Sequence, residues 1–268
     1  MELVKIIAIA ALQGIAEFLP VSSSGHVVLV ADITGFSAPD TALLNAVVHA
    51  GTLIAIIVYY FKTIYSIVVD RSNWRIIGLV AVASIPAAVA GLTLKYYKID
   101  DALNQLPVVA AGFFAAAVIL FTMGRPAKEP MPELKSLTFG KALVIGFGQM
   151  LAITPGISRS GTTISCGQRM GLSGNDAATF SFLMGAVVIG GPFLLELPEI
   201  IESAHLPADD NTMIWWHLAI AFAVAAAVGY ASLRILIKIL DKGKFRLFAW
   251  YLAFMGLLTS VITICKYI

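Results

Sequence analysis

Apolar residues are gathered along this chain into long blocks, at Leu43 to Phe61, Ile76 to Leu94, Val108 to Met123, Phe180 to Leu195, Trp215 to Ile237 and Phe248 to Ile264. Most are near the length at which a helix crosses ~30 Å of hydrocarbon. They predict six transmembrane helices, at about 42–61, 76–95, 107–123, 177–196, 214–238 and 246–266. Two further segments, 3–34 and 140–171, are apolar but broken. Leu3 to Phe18 meets a polar turn before Val27 to Ile33, and Ala142 to Ile153 meets a similar turn before Thr163 to Met170. Short apolar runs interrupted by Pro and Ser predict re-entrant helical hairpins, whose turns must rest in protein or water because lipid offers the backbone no partners.

The broken segments match each other. A shift of 136 residues lays Gln13, Ala16, Ser22, Ser24 and Gly25 on Gln149, Ala152, Ser158, Ser160 and Gly161 without a gap, and three spans follow each hairpin. The chain therefore divides into a first half, 1–124, a cytoplasmic linker, 125–137, and a second half, 138–268. Three spans plus a returning hairpin carry the second half into the membrane from the opposite face. The expected fold class is an all-α integral membrane protein with an inverted-topology repeat, each half one re-entrant helical hairpin plus three transmembrane helices.

Basic residues test that topology. With the Lys62 to Arg75 loop in the cytoplasm, the inside set is Lys62, Arg71, Arg75, Arg125, Lys128, Lys135, Lys141, Arg169, Arg234, Lys238, Lys242, Lys244 and Arg246, against Lys5, Lys95, Lys98 and Lys266 outside. Arg159, in the second turn, counts on neither side. Both termini are expected outside, as is the loop Leu197 to Met213, which is acidic and lacks bases. A parallel repeat with spanning hairpins would mix the charges.

Composition narrows the function. The 268 residues are 59% hydrophobic and 13% charged, with a mean hydropathy of +0.89, so membrane lipid is the solvent. A net charge of +2, with bases at helix ends and no binding stripe, gives no nucleic-acid partner. Cys166 and Cys265 lie far apart in apolar segments and indicate neither a metal cluster nor a disulfide. Met1 to Ala16 is read as part of the fold and not as a signal sequence, because only Lys5 supplies a basic region and the run continues into Gln13 and Glu17.

The two polar turns carry the candidate chemistry. An ionisable group at bilayer depth needs a functional reason or a partner, and Glu17, His26 and Arg159 all lie in or beside these turns. Arg159 offers a planar fork of donors suited to phosphate, flanked by Gly156, Ser158, Ser160, Gly161 and Thr163, and a helix starting near Thr162 would add unpaired N–H groups. The alternative use of Arg159 is a structural ion pair with Glu17. Gln13 and Glu17, four residues apart, share one helix face and suit a divalent cation held jointly with phosphate oxygens. The alternative use of Glu17 is to orient His26, whose imidazole can serve as base, acid or nucleophile beside the hydroxyls of Ser22, Ser23 and Ser24 in the turn that ends at Gly25. His49, in the small-residue stretch His49-Ala-Gly-Thr, is read as helix packing, and Glu196 as a helix-end residue.

Glu17-Phe-Leu-Pro-Val-Ser-Ser-Ser-Gly-His26 and Pro155-Gly-Ile-Ser-Arg-Ser-Gly-Thr-Thr163 resemble the two signature motifs of the undecaprenyl-diphosphate phosphatase family, associated with bacitracin resistance. The resemblance extends over the whole chain in length, span order and motif placement. Gln13 and Glu17 satisfy a further family motif in its Gln variant. The resemblance implies hydrolysis of undecaprenyl diphosphate to the monophosphate and inorganic phosphate in the bacterial cytoplasmic membrane, at a site open to the outer face. It implies Glu17, Ser23, His26 and Arg159 as catalytic residues. Substrate would be held by Ser22, Ser24, Gly25, Gly156, Ser158, Ser160, Gly161 and Thr163, and Mg2+ or Ca2+ by Glu17 and Gln13. Serine, histidine and water remain open as nucleophile, and monomer and homodimer as assembly. A flippase or secondary transporter built on the same inverted repeat is the rival reading.

Overall fold

A computed structural model describes residues 2–34, 41–97, 99–123, 133–204 and 215–267. All regular structure among the described residues is helical: α1 (Glu2–Ala16), α2 (Ser23–Thr34), α3 (Thr41–Tyr59), α4 (Phe61–Val69), α5 (Trp74–Tyr97), α6 (Asp100–Leu103), α7 (Leu106–Met123), α8 (Phe139–Leu151), α9 (Arg159–Arg169), α10 (Gly174–Ala204), α11 (Trp215–Asp241) and α12 (Leu247–Tyr267), with 3₁₀ turns at Arg71–Asn73 and Leu134–Ser136. Linker residues 125–132 and the 205–213 part of the acidic loop lie outside the described residues, and with them Arg125 and Lys128; so does Lys98.

Each apolar block expected to span is the body of one long helix: α3, α5, α7, α10, α11 or α12. By length and composition α5, α11 and α12 suffice to cross a membrane, and α3 with α4 would form a fourth crossing, bent by 71°. Val58, Val89, Leu92, Val118, Phe254 and Leu257 face outward, as lipid-facing side chains do. Trp74, Tyr96, Tyr97, Trp215 and Trp216 are exposed at helix ends, where amphipathic rings anchor at the interface. The chain is an all-helical, multi-pass membrane protein.

Two expectations need correction. The stretch after Phe61 is not simply loop: α4 turns aside from α3 after Tyr59, burying Ile67 before Asp70 accepts from the Ser72 N–H and starts a 3₁₀ turn. The segment from Leu197 onward was expected as loop, yet α10 continues to Ala204. Its acidic composition does not interrupt the backbone ladder, since Glu and Ile both sustain a helix.

Helices pair closely in two sets. α1 lies on α11 and α8 lies on α5, while α3 packs on α11, α7 on α12 and α9 on α10. Small residues allow this approach: a Cβ on Gly51 would lie 2.6 Å from Phe222 O, which bears out helix packing at the His49-Ala-Gly-Thr stretch. At one end of the body Lys266 Nζ donates to Asp32 Oδ1 at 2.6 Å, tying α12 to α2. At the other, Arg75 Nε donates to Lys135 O at 2.9 Å, Lys141 Nζ to Met170 O at 2.8 Å and Asn175 Nδ2 to Asp241 Oδ1 at 3.0 Å.

The interior is unusual at α9. Ser160 to Gln168 is buried without interruption although most of it is polar, enclosed by α7, α8 and α10. A polar helix in that position starts the functional site.

Candidate active site

Both polar turns follow from local chemistry. Leu19 N donates to Ile15 O at 3.0 Å, and Pro20 then ends the ladder. Phe18 anchors this turn: it is fully buried, edge-on to Phe182 at 5.6 Å, and Gly229 leaves it room. Ser22 has φ 66°, a left-handed conformation rare outside glycine, and its hydroxyl accepts from Gly25 N at 3.4 Å to cap α2. In the second turn Ile157 N donates to Thr154 O at 3.1 Å, with Pro155 and Gly156 at the central positions and φ 93° at Gly156. That is the type II turn Pro-Gly favours. Ser158 then caps α9, accepting from Gly161 N at 3.2 Å.

The turns touch. A Cβ on Gly25 would lie 2.9 Å from Gly156 Cα, and one on Gly161 would lie 3.0 Å from Pro20 Cβ. Between them is a cavity of about 100 Å³ lined by Ala16, Glu17, Ser22, Ser23, Ser24, Ala152, Ile157, Ser158, Arg159 and Ser160. Set against the ~30 Å³ share of a liquid water, it holds one small polar group. The first turns of α2 and α9 both border it, so unpaired N–H groups and two positive dipole ends converge there.

Arg159 crosses from one turn to the other. Its Nη2 pairs with Glu17 Oε1, the two side chains being 15% and 9% exposed. Nη1 is buried with no partner among the described residues. The absence of a side chain at Gly185 gives the guanidinium its place: a Cβ there would collide with Nη1. The other Glu17 oxygen accepts from Gln13 Nε2 at 3.1 Å.

Gln13 leads to a residue the sequence reading set aside. Gln13 Nε2 also lies 3.1 Å from His49 Nε2, while His49 Nδ1 lies 2.8 Å from Asn45 O. Only one proton arrangement satisfies both: Nδ1–H donates to the carbonyl and Nε2 accepts from the amide. His49 thus belongs to the site as well as to helix packing. An ionisable group in a span needs a partner, and that requirement was the available signal.

The remaining site residues divide. Ser22, Ser23, Ser24, Ser158 and Ser160 line the cavity, whereas Gly25, Gly156 and Gly161 make the turn-to-turn contact. Thr163 does not face the cavity; its hydroxyl donates to Arg159 O at 2.8 Å and lies 2.6 Å from Ser181 Oγ, three residues around α9 from the turn. His26 is also outside the cavity lining: Nδ1 lies 2.8 Å from Ser22 O and Nε2 lies 2.6 Å from Tyr251 Oη on α12. Glu17 bonds Arg159 and Gln13, so the reading in which it orients His26 by direct contact is not what the fold adopts.

A wider groove of about 590 Å³ adjoins the cavity at Ser23 and Ser24 and continues along Val27, Val28 and Ala31 to Asp32 and Asn104, with Gln13, Asn45 and His49 on its other wall. For a hard cation, Glu17 and Gln13 offer one carboxylate and one amide, the amide presenting oxygen if it turns and gives up its present bonds. No group of three or more His, Cys, Asp or Glu gathers among the described residues. The set therefore fits an ion such as Mg2+, which takes few protein ligands and fills its shell with phosphate oxygens and water.

With this geometry in view, the comparisons with known proteins are direct. The family model described as bacitracin resistance protein BacA matches residues 6–258. The chain belongs to that family. It is 36% identical over 264 residues to a protein of Rhodopirellula baltica named undecaprenyl-diphosphatase, covering 98% of this chain and 99% of the relative. A protein of the same name from Trichlorobacter lovleyi is 34% identical over 273 residues, covering 96% of each. Another, from Methanosphaera stadtmanae, is 29% identical over 286 residues, covering 98% of this chain and 99% of the relative.

Two substitutions test the geometry. Gly156→Ala combines a positive φ with a Cβ directed into Val109 O, so thermal unfolding of the detergent-purified protein should show a loss of at least ~1–3 kcal/mol. His49→Ala leaves a Gln13 N–H unpaired and should destabilise by ~1–3 kcal/mol, whereas His49→Gln, whose oxygen can accept, should retain most of the wild-type midpoint. Equal losses in both His49 variants would show that the bond contributes nothing.

Proposed function

We infer that this chain is an undecaprenyl-diphosphatase, converting undecaprenyl diphosphate to undecaprenyl phosphate and inorganic phosphate in the cavity between the two turns. The unpartnered Nη1 of Arg159 carries this reading. A buried guanidinium donor without an acceptor, beside a polar cavity of about 100 Å³ at two helix N-termini, suits a phosphoryl group.

The terminal phosphoryl group enters the cavity, while the groove along Val27, Val28 and Ala31 leads the prenyl chain away to lipid. Arg159 binds non-bridging oxygens with the donors Glu17 leaves free, and the α2 and α9 N–H groups bind the rest. Phosphoryl transfer asks chiefly for such positioning and charge stabilisation. Ser23 lines the cavity and is placed to attack, with His26 exchanging the proton; attack by water or by the imidazole remains consistent with the residues. Gln13 and Glu17 would hold a divalent cation, Mg2+ or Ca2+, which when bound supplies further neutralisation of the phosphate oxygens.

The same reading makes 1–124 and 138–268 an inverted repeat with re-entrant hairpins α1–α2 and α8–α9. Several contacts support it. The shift of 136 residues turns the Gly25–Gly156 contact into Gly161–Pro20, and the Ser22–Gly25 cap into Ser158–Gly161. It also turns α1 on α11 into α8 on α5. Lys141 bonding Met170 brings the start of α8 and the end of α9 to one level, at the end of the body opposite the Asp32–Lys266 pair. In the bacterial cytoplasmic membrane this puts the groove mouth at Asp32 and Asn104, and both termini, on the outer face, with the base-rich end inside.

A flippase or transporter would use the same architecture, but the names of the relatives and a hydroxyl-lined cavity beside the unpartnered Nη1 of Arg159 favour hydrolysis. Phosphate release from undecaprenyl diphosphate by the purified protein in detergent, where no transport is measurable, separates the two. Turnover is expected, and Arg159→Lys, which keeps a positive charge opposite Glu17 but lacks the planar fork, should lower it by ~10²-fold or more, with Arg159→Ala at least as low and less stable because it leaves Glu17 without its partner. Chelation should depress turnover, with Mg2+ or Ca2+ restoring it. Wild-type turnover in Arg159→Ala would remove the phosphate assignment.

A further inference from the structure

The imidazole of His26 has both nitrogens occupied. Nδ1 lies 2.8 Å from Ser22 O, the carbonyl of the residue held at φ 66°. Nε2 lies 2.6 Å from the hydroxyl of Tyr251, 225 residues away on α12, with the two ring planes within 6° of each other. Phe113 closes the third side, its ring 5.4 Å from the imidazole and nearly perpendicular to it. A backbone carbonyl can only accept, so Nδ1 carries a proton in every state that keeps this bond, and in the neutral ring Nε2 must accept from the phenol.

We propose that Tyr251 serves His26 as orienting partner and proton relay, fixing its tautomer and accommodating both of its protonation states. The inference rests on the reading of His26 as the group that exchanges a proton during phosphoryl transfer. In the neutral ring the Tyr251 O–H donates to Nε2 and occupies its one lone pair. The nucleophile's proton therefore reaches His26 through the phenol: Oη takes it up as the phenol's own proton passes to Nε2, so Tyr251 stays neutral and its oxygen accepts from the new Nε2–H. The imidazolium then donates from both nitrogens, to Ser22 O and Tyr251 Oη. A carboxylate in this position would accept but never donate, and an amide would have to flip by half a turn. The return runs the same way, Nε2 giving its proton back to Oη as Oη gives one to the leaving oxygen, so no proton is gained or lost over a turnover.

Tyr251→Phe preserves the ring and removes only the hydroxyl, so it should fold as the wild type does. Steady-state phosphate release should show kcat lower by about ten- to a hundred-fold with KM moved by less than about twofold, the pattern of a group that matters after binding. The decisive comparison is a cycle of Tyr251→Phe, His26→Ala and the double variant. If Tyr251 acts through His26, the double variant should turn over at the His26→Ala rate. Additive losses, or a Tyr251→Phe enzyme with wild-type kcat beside an inactive His26→Ala, would overturn the proposal while leaving the role of His26 standing. A fully active His26→Ala would remove the underlying reading and this one with it. Nitrogen-15 spectra provide a readout independent of turnover: the His26 ring should show a protonated Nδ1 and a bare Nε2, and Tyr251→Phe should shift the Nε2 resonance. An Nε2 resonance unmoved by that substitution would count against the bond itself.

Discussion

The pairing of Glu17 with Arg159 constrains everything around it. Both charges are largely removed from bulk water, with side chains 9% and 15% exposed. Taking each ion from water costs several kcal/mol even after the protein relaxes, and leaving one without the other costs more. The pair therefore holds two turns together that lie 142 residues apart in sequence. Phe18, wedged against Phe182 beside Gly229, fixes the carboxylate end, and the Pro155-Gly156 turn with the Ser158 cap fixes the guanidinium end. Bulk at Gly25, Gly156 or Gly161 would separate the turns and break the pair. The small residues at this contact thus serve the electrostatics.

That dependence explains which parts were legible in the sequence. The long helices and the two polar turns announce themselves because lipid enforces long apolar blocks, and because Pro, Gly and Ser at turns act through their own backbone. The cavity residues Ser22, Ser23, Ser24, Ser158, Arg159 and Ser160 were legible for the same reason: they sit in the turns that interrupt apolar runs. What escaped depends on partners distant in sequence. Thr163 reads as a cavity hydroxyl from its place in the motif, but one more helical turn rotates it onto Ser181. His49 and Tyr251 look like packing residues until α1 and α2 are laid beside α3 and α12. The bend of α4 and the length of α10 were missed because polar composition marks contact with water more surely than it marks a helix end.

Charge then decides what the cavity will accept. Glu17 and Arg159 cancel, so with the pair intact the site offers an anion little beyond the unpartnered Nη1 and two helix N-termini, each equivalent to about half a charge. A phosphate group arrives with about two negative charges at neutral pH, and a diphosphate adds more. Those charges would also press against the Glu17 carboxylate, which faces the same cavity. Two responses are open to the residues present. Arg159 can transfer donors from Glu17 to phosphate, which leaves the carboxylate buried and less well paired, held by Gln13 alone. A divalent cation at Glu17 removes that cost, since it satisfies the carboxylate and shields the phosphate oxygens at once. On the inferred reaction, a cation would ease the conflict that the ion pair itself creates: the stronger the bond that assembles the turns, the more positive charge would have to accompany the substrate to free the arginine.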